Sequence, residues 1–219
     1  MLYWFKTKRH ENEVYINKNL DVTSLVKFIN DKKEQGTHYT YFHAFLTAIA
    51  KVIYNRPKLN RFISNRHVYE HNTITISFVA KVTLDDKSEE LMFCIPIDGI
   101  DNIDTISQKV ADRVNKLRTN KVDKKGANEK IDVLGKLPNF IRVPLFGFIK
   151  FLDKVDMLPS SLVKNNIYFS SMIISNLGSI HCGAIYHNLI DFGTCSSLTT
   201  IGEIKNIKVY HDDGSEEMK

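Results

Sequence analysis

Long uninterrupted apolar runs are missing from this sequence. None approaches the roughly 20 residues that a membrane-spanning helix requires. Hydrophobic residues at 43% against charged residues at 25% give the composition of a soluble chain with enough apolar mass for a core. Cysteine is scarce: Cys94, Cys182 and Cys195 are odd in number and unpatterned, which points to reduced thiols in a cytoplasm rather than to a disulfide framework. Residues 1–10 lack the apolar core and cleavage site of a secretory leader. No Gly-rich phosphate loop is present, so a nucleotide-hydrolysing function has no cradle to use. The charge excess is small too, 30 Lys+Arg against 25 Asp+Glu. A formal +5 suits an anionic small ligand and falls short of a nucleic-acid binder. Residues 116–130 mix their basic side chains with Asp, Asn and Gly and read as a solvated loop. There are no internal repeats, and 219 residues suit one sizeable domain spanning 1–219.

What is present is a series of short elements. Residues 14–20 read as a strand, after which Asp21 or Thr23 caps a helix carrying Val22, Leu25, Val26 and Ile29 on one face, stopped near Gly36. Thr40 caps a second helix, in which Phe42, Phe45, Leu46, Ile49, Ala50 and Ile53 recur at helical spacing until Pro57 ends it. His43 lies beside that apolar stripe and reads as a packed or surface histidine. Residues 57–62 form a loop and 66–70 a short strand. Residues 73–83 alternate, with Ile74, Ile76, Phe78, Ala80 and Val82 on one face. Asp85-Asp86-Lys87 makes a turn into a returning strand at 91–97. Asn102 or Asp104 then opens a third helix with Ile106, Val110, Val114 and Leu117 inward. Residues 120–130 read as a flexible connection.

Residues 140–152 carry more aromatic and aliphatic side chains than one helical face can hold, broken by Pro144 and Gly147. They either cover a core or an oligomer contact, or lie on a membrane surface with Arg142, Lys150 and Lys154 snorkelling. Packing is favoured, because the basic residues are few and Asp153 and Asp156 follow at once. Residues 184–189, 196–201 and 204–210 read as strands. The last runs into His211-Asp212-Asp213-Gly214, a strong hairpin signal whose returning strand the remaining residues do not supply.

The stretch that carries chemistry is Tyr168-Phe169-Ser170-Ser171-Met172-Ile173-Ile174-Ser175-Asn176-Leu177-Gly178-Ser179-Ile180. It begins as a β-branched strand and ends in a sharp Asn-Leu-Gly turn. Its serines sit where a buried strand normally carries carbon, so each hydroxyl has a structural partner or a chemical role.

Taken in order, Tyr41-Phe42-His43-Ala44-Phe45-Leu46, Asn55-Arg56-Pro57-Lys58-Leu59-Asn60, Ile174-Ser175-Asn176-Leu177-Gly178-Ser179-Ile180 and Ile201-Gly202-Glu203-Ile204 resemble the catalytic domain of the 2-oxoacid dehydrogenase acyltransferases (dihydrolipoamide acyltransferases). That superfamily also holds chloramphenicol acetyltransferase, and the resemblance runs from about Val14 to Val209. It implies an α/β fold, a two-layer α+β sandwich with a chloramphenicol acetyltransferase-like mixed sheet flanked by helices. It also implies a homotrimer with the active site between subunits, and acyl transfer between coenzyme A and a thiol or hydroxyl acceptor. Such chemistry needs a proton acceptor and a donor to the tetrahedral oxyanion. By position the donor is Ser175, with Ser171 the fallback. The family's base is the His of a His-x-x-x-Asp-Gly motif. His211-Asp212-Asp213-Gly214 has the wrong spacing, so no general base is assigned, and the domain is expected to lack its final catalytic strand and helix.

The resulting expectation is a coenzyme A-dependent acyltransferase domain, incomplete or impaired over these residues, or else a non-catalytic trimeric relative used for binding or scaffolding. In the second reading residues 140–152 form the contact with a partner or membrane surface. His181, Cys182, His187 and Cys195 match no usual zinc spacing, and no metal is expected. Cys94, in an apolar strand, keeps its proton and makes a poor nucleophile.

Overall fold

In the computed structural model, residues 3, 8–81, 90–119 and 136–218 are described. The turn expected at 85–87, Val82, and the connection at 120–130 lie outside them. Strands β1 (Arg61–Ser64), β2 (His67–Glu70), β3 (Ile74–Lys81), β4 (Glu90–Ile97), β5 (Met172–Asn176), β6 (Leu198–Ile201), β7 (Lys208–Tyr210) and β8 (Glu216–Met218) are interleaved with helices. The helices are α1 (Thr23–Glu34), α2 (Tyr41–Asn55), α3 (Ile103–Thr119), α4 (Asn139–Lys154) and α5 (Ser160–Val163).

The central sheet has the order β4-β3-β5-β6. β3 and β4 are antiparallel, while β3, β5 and β6 run parallel, so the sheet is mixed as expected. Ile76, Phe78, Phe93, Ile95, Ile97 and Ile174 project from one face against Leu46, Ala50 and Ile53 of α2 and Ile106 and Val110 of α3. Phe78 stacks on Phe93 and meets Phe42 edge-on, both at 5.1 Å. This is the core.

Local signals placed the helices. Thr40 Oγ1 accepts from the His43 N–H, and His43 Nδ1 accepts from the Thr40 N–H, both at 3.3 Å. His43 therefore completes a capping box in which an imidazole stands where Glu or Gln is usual. Asn102 opens α3 the same way, exchanging hydrogen bonds with Thr105. At α1 the carboxylate of Asp21 accepts from the Thr23 N–H at 3.0 Å. Gly36 ends that helix region at φ +82°, a conformation natural to glycine.

An ion pair fixes the junction of β4 and α3. Asp101, 5% exposed, accepts from Lys109 Nζ at 2.6 Å and from the Asp98 N–H at 2.7 Å. Lys109 also reaches Pro96 O and Asp98. A second long-range tie is Arg9, whose backbone N–H donates to Asp191 and whose guanidinium donates to the carbonyls of Gly193 and Cys195.

Several expectations need correction. Residues 14–20 and 184–189 are extended but pair with no strand among the described residues. β-branched composition made both look like strands, yet a strand needs a neighbouring edge, and Val14 and Ile16 remain exposed. The strand expected at 204–210 shrinks to β7, and the tight turn at Gly214 (φ +82°) does return, as β8, pairing Tyr210 with Glu216 and Lys208 with Met218. Residues 57–60 form a 3-10 turn that leads into β1, a strand the sequence reading missed; β1 and β2 make an antiparallel hairpin. The alternation of β3 holds, with Ile74, Ile76 and Phe78 on the core side, while Ser77 on the opposite face is also fully buried, 3.1 Å from the Cys94 sulfur. Residues 140–152 lie in α4, none of whose side chains is buried, so the segment does not cover the core.

Candidate active site

The sheet is built so that β5 ends at an open rim. β5 lies between β3 and β6, parallel to both, and its carboxyl end turns at once into a 3-10 turn over Leu177–Ile180. The carboxyl ends of parallel strands are where α/β sheets receive ligands. Close backbone packing fixes this rim. A side chain at Gly178 would come within 2.8 Å of Gly202 O, and one at Gly202 within 2.6 Å of the Ala184 nitrogen. The two glycines of the Asn-Leu-Gly and Ile-Gly-Glu motifs thus let the β5 turn, the β6 end and the following loop stack directly.

The serines of the stretch have different fates. Ser170 is buried and its hydroxyl donates to Ile167 O at 2.7 Å. Ser171 is 1% exposed; its Oγ accepts from the Thr75 N–H at 3.0 Å, and its own N–H donates to Thr75 O at 2.8 Å. Ser179 donates to Asn176 O at 2.8 Å. Ser175 is half-buried, and among the described residues its hydroxyl has no hydrogen-bond partner. It sits on the face opposite the core, across from Thr200 in the β5–β6 register. Thr200 Oγ1 is committed to Ile185 O at 2.8 Å, which ties the 184–189 loop to β6. Ser171 stands one residue before β5 and four before Ser175, a spacing that in an extended segment shares a face, so sequence alone could not separate them. Burial and Thr75 do.

At the same end of the sheet His181 adopts a left-handed conformation (φ 57°), and its Nδ1 lies 2.7 Å from a Glu203 carboxylate oxygen. The His181 contact, then Lys205, holds the Glu203 carboxyl below its ordinary value. Sequence reading considered His181 only as a metal ligand and did not pair it with Glu203, although both flank quoted motifs. Among the described residues, no three His, Cys, Asp or Glu side chains converge as a metal site would require. Cys195 is buried, donating to Ser197 O at 3.2 Å, while Cys182 is exposed. Burial pushes the thiols of Cys94 and Cys195 above their ordinary value. His211 stands at the β7–β8 turn, 3.3 Å from Glu217.

Two cavities flank α2. One, of about 90 Å³, lies between Ala50, Tyr54, Ile97 and Asp101. The other, an open and largely apolar recess of about 530 Å³, is formed by residues 55–59. Neither is lined by Ser175.

The architecture is thus a mixed sheet packed on helices by one face, with a hydroxyl-bearing parallel strand ending at a glycine turn. No family model matches the chain. The lipoamide acyltransferase component of the branched-chain α-keto acid dehydrogenase complex of Bacillus subtilis is 22% identical over 214 residues, covering 91% of this chain and 48% of that protein. A probable dihydrolipoamide acetyltransferase from Listeria monocytogenes superposes with a TM-score of 0.56 at 20% identity, over 90% of this chain and 67% of that one. A dihydrolipoamide acetyltransferase of Azotobacter vinelandii, investigated for the role of a serine, a histidine and an asparagine in its catalytic mechanism, gives 0.56 at 13% identity, over 90% and 65%. The resemblance read in the sequence is supported. Curated and structural neighbours point to the catalytic acyltransferase core of 2-oxoacid dehydrogenase complexes, and the chain has that core's fold. It spans about half the length of the curated relative it matches.

Proposed function

We propose that this chain is a coenzyme A-dependent acyltransferase domain in which Ser175 holds the oxyanion. One observation carries the reading. Of the serine hydroxyls along 170–179, only that of Ser175 is both partly open to solvent and uncommitted among the described residues. Its place at the end of β5, the fold, and the serine named for the Azotobacter enzyme support the same assignment.

In the proposed reaction a thiol or hydroxyl acceptor loses its proton to a base and attacks the thioester carbonyl of acyl-coenzyme A. The tetrahedral oxyanion accepts a hydrogen bond from Ser175 Oγ. Collapse breaks the carbon–sulfur bond, and the proton passes to the departing coenzyme A thiolate. No His-x-x-x-Asp-Gly occurs within the 219 residues, so the base is left unassigned. A homotrimer would place a second subunit beside the Ser175 end of β5, and would suit a likeness to a component of a multienzyme complex.

The test is acyl transfer from acetyl-coenzyme A to dihydrolipoamide, with calorimetric titration of coenzyme A beside it. Ser175→Ala should lower turnover about 10²–10³-fold, the usual effect of losing one oxyanion donor, while shifting stability by less than about 1 kcal/mol. Equal losses of turnover and stability would make the hydroxyl structural. Wild-type protein that neither transfers an acyl group nor binds coenzyme A would leave the fold serving as a non-catalytic scaffold.

A further inference from the structure

Helix α4 is the part of the molecule whose surface is least explained by the fold. It has Pro144 and Gly147 in its interior, two residues that weaken a helix, and such a helix depends on something covering an amphipathic face. Its inner side is only half-buried, through Leu145, Phe146, Ile149 and Leu152. On the outer side Phe140 is 78% exposed, Val143 68%, and Phe148 and Phe151 each 57%. Helical spacing puts Phe140, Pro144, Gly147, Phe148 and Phe151 on one continuous stripe.

The charges around that stripe are of one sign. Lys150 and Lys154 flank it, and Lys136 precedes the helix; all three are exposed. The sole acidic residues between Lys136 and Lys164 are Asp153 and Asp156. Both are engaged with the rest of the chain. Asp153 turns inward, accepting from the Gly193 N–H at 2.9 Å, and Asp156, beyond the helix, accepts from the Ser64 hydroxyl. Of the two carboxylates that argue in the sequence against a membrane surface, Asp153 is thus turned inward, and Asp156, though exposed, lies past the helix and is tied to β1. Phenylalanines flanked by lysines, with no acid on the helix's own outer face, suit anionic headgroups over an acyl layer. A protein partner fits less well, because lysine is depleted from buried protein interfaces.

We propose that the outer face of α4 docks this protein on an anionic lipid bilayer. Phe140, Phe148 and Phe151 enter the headgroup–acyl boundary, and Lys150 and Lys154 meet the lipid anions. The surface is independent of Ser175 and of the acyltransferase reading.

Flotation of the full chain with vesicles tests it. Phosphatidylglycerol–phosphatidylcholine vesicles should capture the protein, pure phosphatidylcholine should capture much less, and high salt should release it. Lys150→Gln with Lys154→Gln should weaken partitioning roughly 30-fold, two charges at about 1 kcal/mol each near an anionic surface. Phe148→Ser with Phe151→Ser should weaken it about tenfold or more while leaving thermal unfolding nearly unchanged. The lysine pair keeps the test decisive if the phenylalanine pair disturbs folding. Wild-type protein that ignores both vesicle types overturns the proposal. So does equal capture of wild type and lysine variant, or a solution oligomer that the phenylalanine pair dissociates without any vesicle binding, which would assign the face to a second copy of the chain.

Discussion

Removing either half of the Asp101–Lys109 pair should be one of the more costly polar substitutions in the chain. Asp101 is buried, and its carboxylate accepts only from Lys109 and local backbone and hydroxyl groups. Lys109→Ala leaves that buried charge short of its strongest donor and frees Pro96 O as well. A fully buried pair broken at one end costs about 3–5 kcal/mol. Lys109 is 29% exposed, so water softens the loss to about 2–3 kcal/mol. For a chain of this size that is a fall of roughly 4–12 °C in Tm. Asp101→Asn and the double variant complete a cycle, with an expected coupling of about 1.5–2 kcal/mol by urea unfolding. The exposed Arg61–Glu70 pair, at 3.2 Å, is the control and should cost less than about 0.5 kcal/mol. Burial opposes ionisation of both partners, but the hydrogen bonds outweigh it, holding Asp101 below and Lys109 above their ordinary values. The Asp101 contribution is therefore lost as pH falls through its depressed folded value, and the Lys109 contribution as pH rises through its raised one. Between the ordinary carboxylate value and the ordinary lysine value the pair contributes in full. Two single variants that each cost under about 0.5 kcal/mol, or a coupling near zero, would refute the reasoning.

Two further outcomes follow from local geometry. Gly193→Ala should destabilise by about 2–4 kcal/mol in urea, because Gly193 sits at φ +82° and a methyl there would come within 2.2 Å of Tyr168 O; a neutral effect would mean the 191–195 loop is free to move. A thiol reagent should modify Cys182 quickly in the native protein, half-buried Cys94 far more slowly and buried Cys195 only on unfolding, since the first is exposed and desolvation keeps the other two protonated. Three rapid equivalents would contradict that burial.

The helices were legible because their signals are local. Thr40, the spacing of Leu46, Ala50 and Ile53, and Pro57 fix α2 within its own residues. Pairing is not local, which is why 14–20 and 184–189 carry strand composition without a strand, and why β1 went unseen beside its partner β2. For residues 140–152 the sequence left core cover, an oligomer contact and a membrane surface open, since apolar density says nothing about which face a neighbour reaches; only the first is set aside by the exposure of α4. At the rim of β5 the motif marked the right stretch. Choosing Ser175 over Ser171 needed the position of Thr75, 96 residues away in sequence. The partnership of His181 with Glu203 likewise depends on the stacked glycines that bring β6 beside the turn.

The carbonyls of Gly193 and Cys195 that receive the Arg9 guanidinium are translated 184 and 186 residues after Arg9 itself. At the usual pace of a ribosome that interval is roughly 9–37 s. Throughout it Arg9 has neither carbonyl to hold, and must stay unengaged or be sheltered until the 191–195 loop is made. Closure of this clasp cannot precede that loop, and replacing Arg9 would leave the 191–195 loop unheld beside an otherwise assembled sheet.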